Sequence, residues 1–138
     1  MSELPQPPDF MAGFRKNKYN AKKTVVDGIT FASKVEAKRY GELRLLEKGG
    51  EILYLEPHPA FELHAALSCR KEPGEGKIGK YIADFKYVNN RTQLWVYEDV
   101  KAWDKKAKKG KGDWIITSLS KWKIRHTEAE YGIKITIV

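Results

Sequence analysis

Two strand-like runs flank an Asn89-Asn90-Arg91 turn: 81–87 (Tyr-Ile-Ala-Asp-Phe-Lys-Tyr) and 94–101 (Leu-Trp-Val-Tyr-Glu-Asp-Val-Lys). β-branched and aromatic residues suit a pleated, half-buried strand, and Asn tolerates the positive φ of a tight turn. A hairpin is the expected conformation, and it dictates which side chains become neighbours. Side chains alternate along a strand, so Asp99 and Lys101 project to one face. A two-residue turn at Asn89-Asn90 sets Asp84 opposite Trp95, and one at Asn90-Arg91 sets it opposite Tyr97. Both partners are odd-numbered positions of the second run, so Asp84, Asp99 and Lys101 share a face in either register. A one-residue slip separates them.

The rest of the chain arranges itself around this hairpin. Residues 1–23 are rich in Pro, Lys and Asn without apolar periodicity, which predicts a flexible basic arm. Thr24-Val25-Val26 turns at Asp27-Gly28 into Ile29-Thr30-Phe31, a second hairpin signal. Ser33 can cap a helix, with Glu36 completing a capping-box pattern. That helix is expected to reach about Lys48 and to stop at Gly49-Gly50. Strands are expected over 51–55, 60–66 and 81–88, with a polar, Gly-rich loop over 69–80. Strand 94–101, a Lys/Gly loop, a helix over 113–130 and a strand over 133–138 complete the order. This predicts an α/β fold, a mixed central sheet flanked by helices. For 138 residues, one domain over 24–138 behind the arm is expected.

Two carboxylates at hairpin distance repel unless a cation lies between them, a setting that suits metal-assisted phosphodiester hydrolysis. Mg²⁺ takes a few carboxylate oxygens together with water and phosphate oxygens. Lys101 would orient a water or neutralise charge developing on the phosphate. A solvated Asp–Lys pair on an exposed sheet face is the plain alternative. On a helical wheel Ala32, Val35, Tyr40, Leu43 and Leu46 form one stripe, and Glu36 falls near its middle. A buried acid needs a partner. Glu36 is therefore either an ion pair with Arg39 or a third ligand delivered from the helix. Glu98 projects opposite to Asp99, toward a lysine of the second helix, or becomes the ligand itself if the register differs. His58, His64 and His126 share no spacing that suggests a metal.

Cys69 stands alone, which excludes an intramolecular disulfide, and nothing resembles a zinc cluster. The first residues lack the basic start and apolar stretch of a secretory signal, and no run approaches membrane-span length. A cytoplasmic protein without membrane contact is expected. The formal charge of +8 is concentrated in Arg15, Lys16, Lys18, Lys22 and Lys23, and in Lys105, Lys106, Lys108, Lys109 and Lys111. Such clusters point to a polyanion, nucleic acid first, with a solvated surface as the alternative. Lys121 and Lys123 on the second helix either reach phosphate or form its wet side. The aromatic residues fit core packing better than base stacking, which leaves RNA binding the weaker reading.

Helix-borne Glu36, then Asp84, then Asp99-Val100-Lys101 resembles the PD-(D/E)XK nuclease superfamily. The wider wording is similar to its small phage-borne members: 18–23 (Lys-Tyr-Asn-Ala-Lys-Lys), 27–37 (Asp-Gly-Ile-Thr-Phe-Ala-Ser-Lys-Val-Glu-Ala), 81–85 (Tyr-Ile-Ala-Asp-Phe) and 98–101 (Glu-Asp-Val-Lys). The resemblance covers roughly 18–138; Ala83 stands where the motif's name has proline. In size and layout the chain resembles archaeal-type Holliday junction resolvases. That resemblance implies a restriction-endonuclease-like core and catalysis by Glu36, Asp84, Asp99 and Lys101. It also implies Mg²⁺, with Mn²⁺ as a substitute, on Glu36, Asp84 and Asp99. The implied partners are branched DNA, a four-way junction read by shape, and a second copy of the chain in a homodimer, with no small-molecule substrate. Lys16, Lys18, Lys22, Lys23, Lys105, Lys106, Lys108, Lys109, Lys111 and Lys121 would contact the DNA backbone. If phage-encoded, the protein would act in the bacterial host cytoplasm. A flap, nicking or restriction-type endonuclease of the same fold, or a non-catalytic DNA-binding module, are the alternatives.

Overall fold

The computed structural model describes residues 22–65 and 76–138. Expectations for the arm before Lys22 and for Cys69 lie outside the described residues. The chain divides after Ala37 into two compact units.

In the first unit, β1 (Thr24–Val26) and β2 (Ile29–Phe31) pair antiparallel, with Val26 opposite Ile29. Asp27 (φ 51°) and Gly28 (φ 76°) fill the two turn positions, both left-handed as a twist-matched hairpin turn requires. Ser33 then caps α1 (Lys34–Lys48): the Glu36 N–H donates to Ser33 Oγ at 3.2 Å. The Glu36 carboxylate reaches back, accepting from Ala32 N–H through Oε2 and from the Ser33 hydroxyl through Oε1, both at 3.3 Å. This reciprocal arrangement satisfies donors that the first helical turn leaves open.

α1 runs on into the second unit. Ala37, Tyr40 and Leu43 are its buried apolar residues, whereas Val35 and Leu46 are 58% and 40% exposed. The buried face is thus rotated from the stripe expected through Ala32, Val35 and Leu46. Polar side chains explain the rotation: Arg39 reaches Glu98, and Glu47 Oε1 accepts the Leu55 N–H at 3.2 Å. Hydropathy alone cannot anticipate such anchoring.

The elements that follow are β3 (Ile52–Pro57), β4 (Ala60–His64), β5 (Lys77–Ile82), β6 (Phe85–Asn89) and β7 (Leu94–Asp99). Then come β8 (Trp103–Asp104), a short turn α2 (Ala107–Gly110), β9 (Asp113–Trp114), α3 (Ser118–Tyr131) and β10 (Ile135–Ile137). One sheet has the order β10-β7-β6-β3, with β10 parallel to β7 and the other pairs antiparallel. The mixed sheet expected from the sequence is present. β4 and β5 form a separate two-stranded ribbon, as do β8 and β9.

Several expected elements differ: β5 begins at Lys77, inside the loop expected over 69–80, because Lys77 to Ile82 pair with β4, and β8 forms within the expected Lys/Gly loop. The strand expected over 81–88 is broken at Ala83-Asp84, where the chain leaves β4 and joins β7. There the Ala83 N–H donates to the Pro59 carbonyl and the Asp84 N–H to the Glu98 carbonyl, both at 3.0 Å. The helix expected from 113 begins at Ser118, because Thr117 Oγ1 accepts the Ser120 N–H at 3.1 Å and caps it. Asp113 and Trp114 pair instead with β8.

Register puts Phe85 opposite Glu98 and Tyr87 opposite Val96. Tyr40 of α1 stacks on Phe85 at 6.3 Å, so α1 covers that face. On the other face Leu63, Tyr81, Ala83, Ile124 and Ile135 form a core with Phe61, Tyr97, Ile133 and Ile137 packed around it. Helix α3 and the β4–β5 ribbon therefore cover this second face. They are also clamped together by polar contacts, since Glu130 accepts from the His64 N–H (3.0 Å) and meets its ring Nδ1 (2.6 Å). Two of the histidines given no metal role thus find a structural one, because His126 Nε2 donates to the His64 carbonyl at 2.9 Å. No helix among the described residues is long and apolar enough to cross a membrane.

Candidate active site

The pairing of β6 with β7 decides the site. Asn89 lies opposite Leu94, so the connecting loop has four residues, not two. Asn89 Oδ1 accepts from the N–H groups of Arg91 (3.0 Å) and Thr92 (3.2 Å), and Gln93 closes the loop at φ 59°. An even-numbered lengthening preserves parity. The Asp84 N–H donates to the Glu98 carbonyl at 3.0 Å, which sets Asp84 against the end of β7 rather than opposite Trp95 or Tyr97 as expected.

Asp84 Oδ2 accepts the Val100 N–H at 2.6 Å, which ties its carboxylate to the end of β7. Asp99 is 2% exposed, and both its oxygens are held. Lys101 Nζ donates to Oδ1 at 2.6 Å, and the Tyr81 hydroxyl donates to Oδ2 at 2.9 Å. Burial first, then the Asp99 anion and its hydrogen bond, push the Tyr81 hydroxyl far above the ordinary phenol range. Tyr81 therefore serves as a neutral donor to Asp99. No sequence signal pointed to Tyr81, because the strand break at Ala83-Asp84 defeats simple alternation between positions 81 and 84.

Glu98 is equally buried and belongs to the opposite face. Arg39 grips it with two donors, Nε to Oε2 at 2.9 Å and Nη2 to Oε1 at 2.7 Å. The Tyr87 hydroxyl adds a third bond to Oε1 at 2.6 Å. The hydrogen bond to Glu98 raises the Arg39 pKa above its already high value despite opposing burial. Burial, and then Glu98, push the Tyr87 hydroxyl up. The expected partners therefore change: Glu98 pairs with an arginine of α1 rather than a lysine of the second helix, and Arg39 bonds Glu98 and Glu42 rather than Glu36. Each of two adjacent acids has its own cation and its own tyrosine, one set on each face.

Glu36 lies in the first unit, with both carboxylate oxygens engaged at the start of α1. Among the described residues, no three His, Cys, Asp or Glu side chains form a metal-binding group. Asp99 at the end of β7 and Asp84, bonded to the next residue, Val100, provide two hard oxygen donors. That donor set fits Mg²⁺, which takes one or two protein carboxylates and keeps its other positions for water and phosphate. Of the expected DNA contacts, Lys22, Lys23, Lys105, Lys106, Lys109, Lys111 and Lys121 are exposed. Lys108 is exposed too but bonds Asp113 at 2.9 Å, holding that carboxyl below its usual range. Lys16 and Lys18 lie outside the described residues.

Fold and site define a mixed α/β protein with a buried acid–lysine–tyrosine cluster where two antiparallel strands meet. Residues 16–126 match the family described as protein of unknown function (DUF1064), and the chain belongs to that family. The matched stretch includes Glu36, Asp84, Asp99 and Lys101. No curated protein and no solved structure matches the chain.

Proposed function

We propose that the protein is a metal-dependent endodeoxyribonuclease with a restriction-endonuclease-like core. It acts as a homodimer on branched DNA, specifically by paired nicking of four-way junctions. The observation that carries this reading is the Asp84 carboxylate bonded to the N–H of Val100, the residue after Asp99, with the Lys101 ammonium 2.6 Å from Asp99. The order α1, β3, β6, β7, α3, β10, with three antiparallel strands and a parallel fourth, supports the fold assignment.

The residues divide the work as follows. Asp84 and Asp99 would hold Mg²⁺, which supplies positive charge against the oxygens of a phosphodiester. Lys101 keeps an ammonium where that group gains negative charge in the transition state. The Val100 N–H and the Tyr81 hydroxyl fix the two carboxylates, so little reorganisation is needed. The exposed lysines are candidate backbone contacts.

One observation favours a second reading. Both Asp99 oxygens are already satisfied by protein donors, as they would be in a purely structural pair within a DNA-binding module. Cleavage of an immobile four-way junction, with Mg²⁺ and with EDTA, beside linear duplex and flap controls, separates the readings. Paired symmetric nicks near the crossover, only with Mg²⁺, are expected. Equal cutting of duplex or flaps would redirect the assignment to a flap, nicking or restriction-type enzyme. Junction binding without any cleavage would establish the non-catalytic module.

A further inference from the structure

Immediately beside Asp99, the residues Lys80, Tyr81, Ile82, Lys101, Ser120 and Lys123 line an open cavity of about 300 Å³. Three of the six are lysines, and no acid lines the wall. Lys101 is committed to Asp99. Among the described residues, neither Lys80 nor Lys123 has a carboxylate partner. Glu62, which lies opposite Lys80 across the ribbon, is bonded to Lys77 at 2.9 Å. Ser120 Oγ accepts the Thr117 hydroxyl at 3.0 Å, which leaves its own proton to donate. Ile82, 47% exposed, adds an apolar wall.

Cations gathered around a concavity repel one another in the empty state and concentrate an anion there. Ammonium and hydroxyl donors suit phosphate oxygens, while the Ile82 surface suits the apolar side of a sugar rather than a bare ion. We propose that this cavity binds one sugar–phosphate unit of a DNA strand, with Lys80 and Lys123 as its binding residues. Resting on the nuclease reading, the unit bound is the one next to the scissile phosphate, since Lys101 and Tyr81 belong to both cavity and site.

The test uses the full chain and a four-way junction in EDTA, with affinity followed by fluorescence anisotropy across a salt series. Lys80→Ala and Lys123→Ala should each weaken binding and make the log–log salt slope shallower by about 0.9. Replacing single backbone phosphates by neutral methylphosphonates should weaken wild-type binding at one position and weaken the two variants no further at that position. Lys80→Gln and Lys123→Gln, checked by thermal melting, replace any alanine variant that fails to fold. If no methylphosphonate position couples to either lysine, the pocket is refuted, whatever the cleavage assay gives. Coupling at a phosphate remote from the cut refutes its placement beside the scissile bond. Coupling in a protein that cuts nothing would uphold the pocket and sink the nuclease reading alone.

Discussion

At the scale of single residues, Glu98 and Asp99 are consecutive acids with equal burial, and what distinguishes them is the side of the sheet each meets. Glu98 is closed by Arg39 and Tyr87, Asp99 by Lys101 and Tyr81. Breaking a buried pair from one side leaves the other charge uncompensated. Glu98→Ala should therefore lower unfolding free energy by about 2 kcal/mol in a urea titration, below the usual cost because Arg39 keeps solvent access and Glu42. Asp99→Asn and Lys101→Ala should instead abolish Mg²⁺-dependent cleavage while largely sparing junction binding. Unchanged cleavage by both variants would remove the active-site assignment. For Glu36, the cap seen at the start of α1 and the ligand role expected from the sequence can be tested apart. Gln also serves in a capping box, so Glu36→Gln should leave stability within about 0.5 kcal/mol of wild type. The same change should cut the cleavage rate at least tenfold if the carboxylate is a ligand. A stable variant with full activity would confine Glu36 to capping.

At the scale of elements, caps and tight turns are set by local residues, whereas the exchange of strand partners is not. The Asp27-Gly28 turn and the Ser33/Glu36 cap depend on residues a few positions apart, so their chemistry is present in the chain itself. The break at Ala83-Asp84 depends on where β4 ends and β7 begins, which no local pattern encodes. The β8–β9 ribbon likewise lies where the sequence predicts loop and helix, because two-residue strands carry no periodicity. What holds it is packing: Trp103 and Trp114 meet edge to face at 4.9 Å. Gly112 lies against Trp103 at φ +78°, where a Cβ would clash with the indole ring. Gly112→Ala should cost about 1–3 kcal/mol through strain and overpacking, and should shift tryptophan fluorescence. An unchanged emission spectrum and melting temperature would show that the ring has room to move.

At the scale of the whole molecule, charge and assembly carry the prediction. A net +8 with exposed lysines on the β8–β9 turn and α3 favours a polyanion whose affinity falls steeply with salt. Paired nicking requires two active sites on one junction. Sedimentation of the free protein is expected to give twice the monomer mass. A monomer at concentrations where paired nicking proceeds would remove the homodimer from the proposal.

The sequence by itself determined parity and local form. Strand alternation predicts Asp84, Asp99 and Lys101 on one side for any even change in turn length, and caps and tight turns are written in adjacent residues. Only the tertiary structure decided the partners. It chose Arg39 for Glu98, Tyr81 for Asp99, and Lys80 with Lys123 beside Lys101, because such contacts join residues whose separation along the chain says nothing of their distance in space. Burial makes those choices binding: once two acids sit 2% exposed, each must find donors within hydrogen-bond reach, and the packing of α1 and α3 on opposite faces supplies a different set to each.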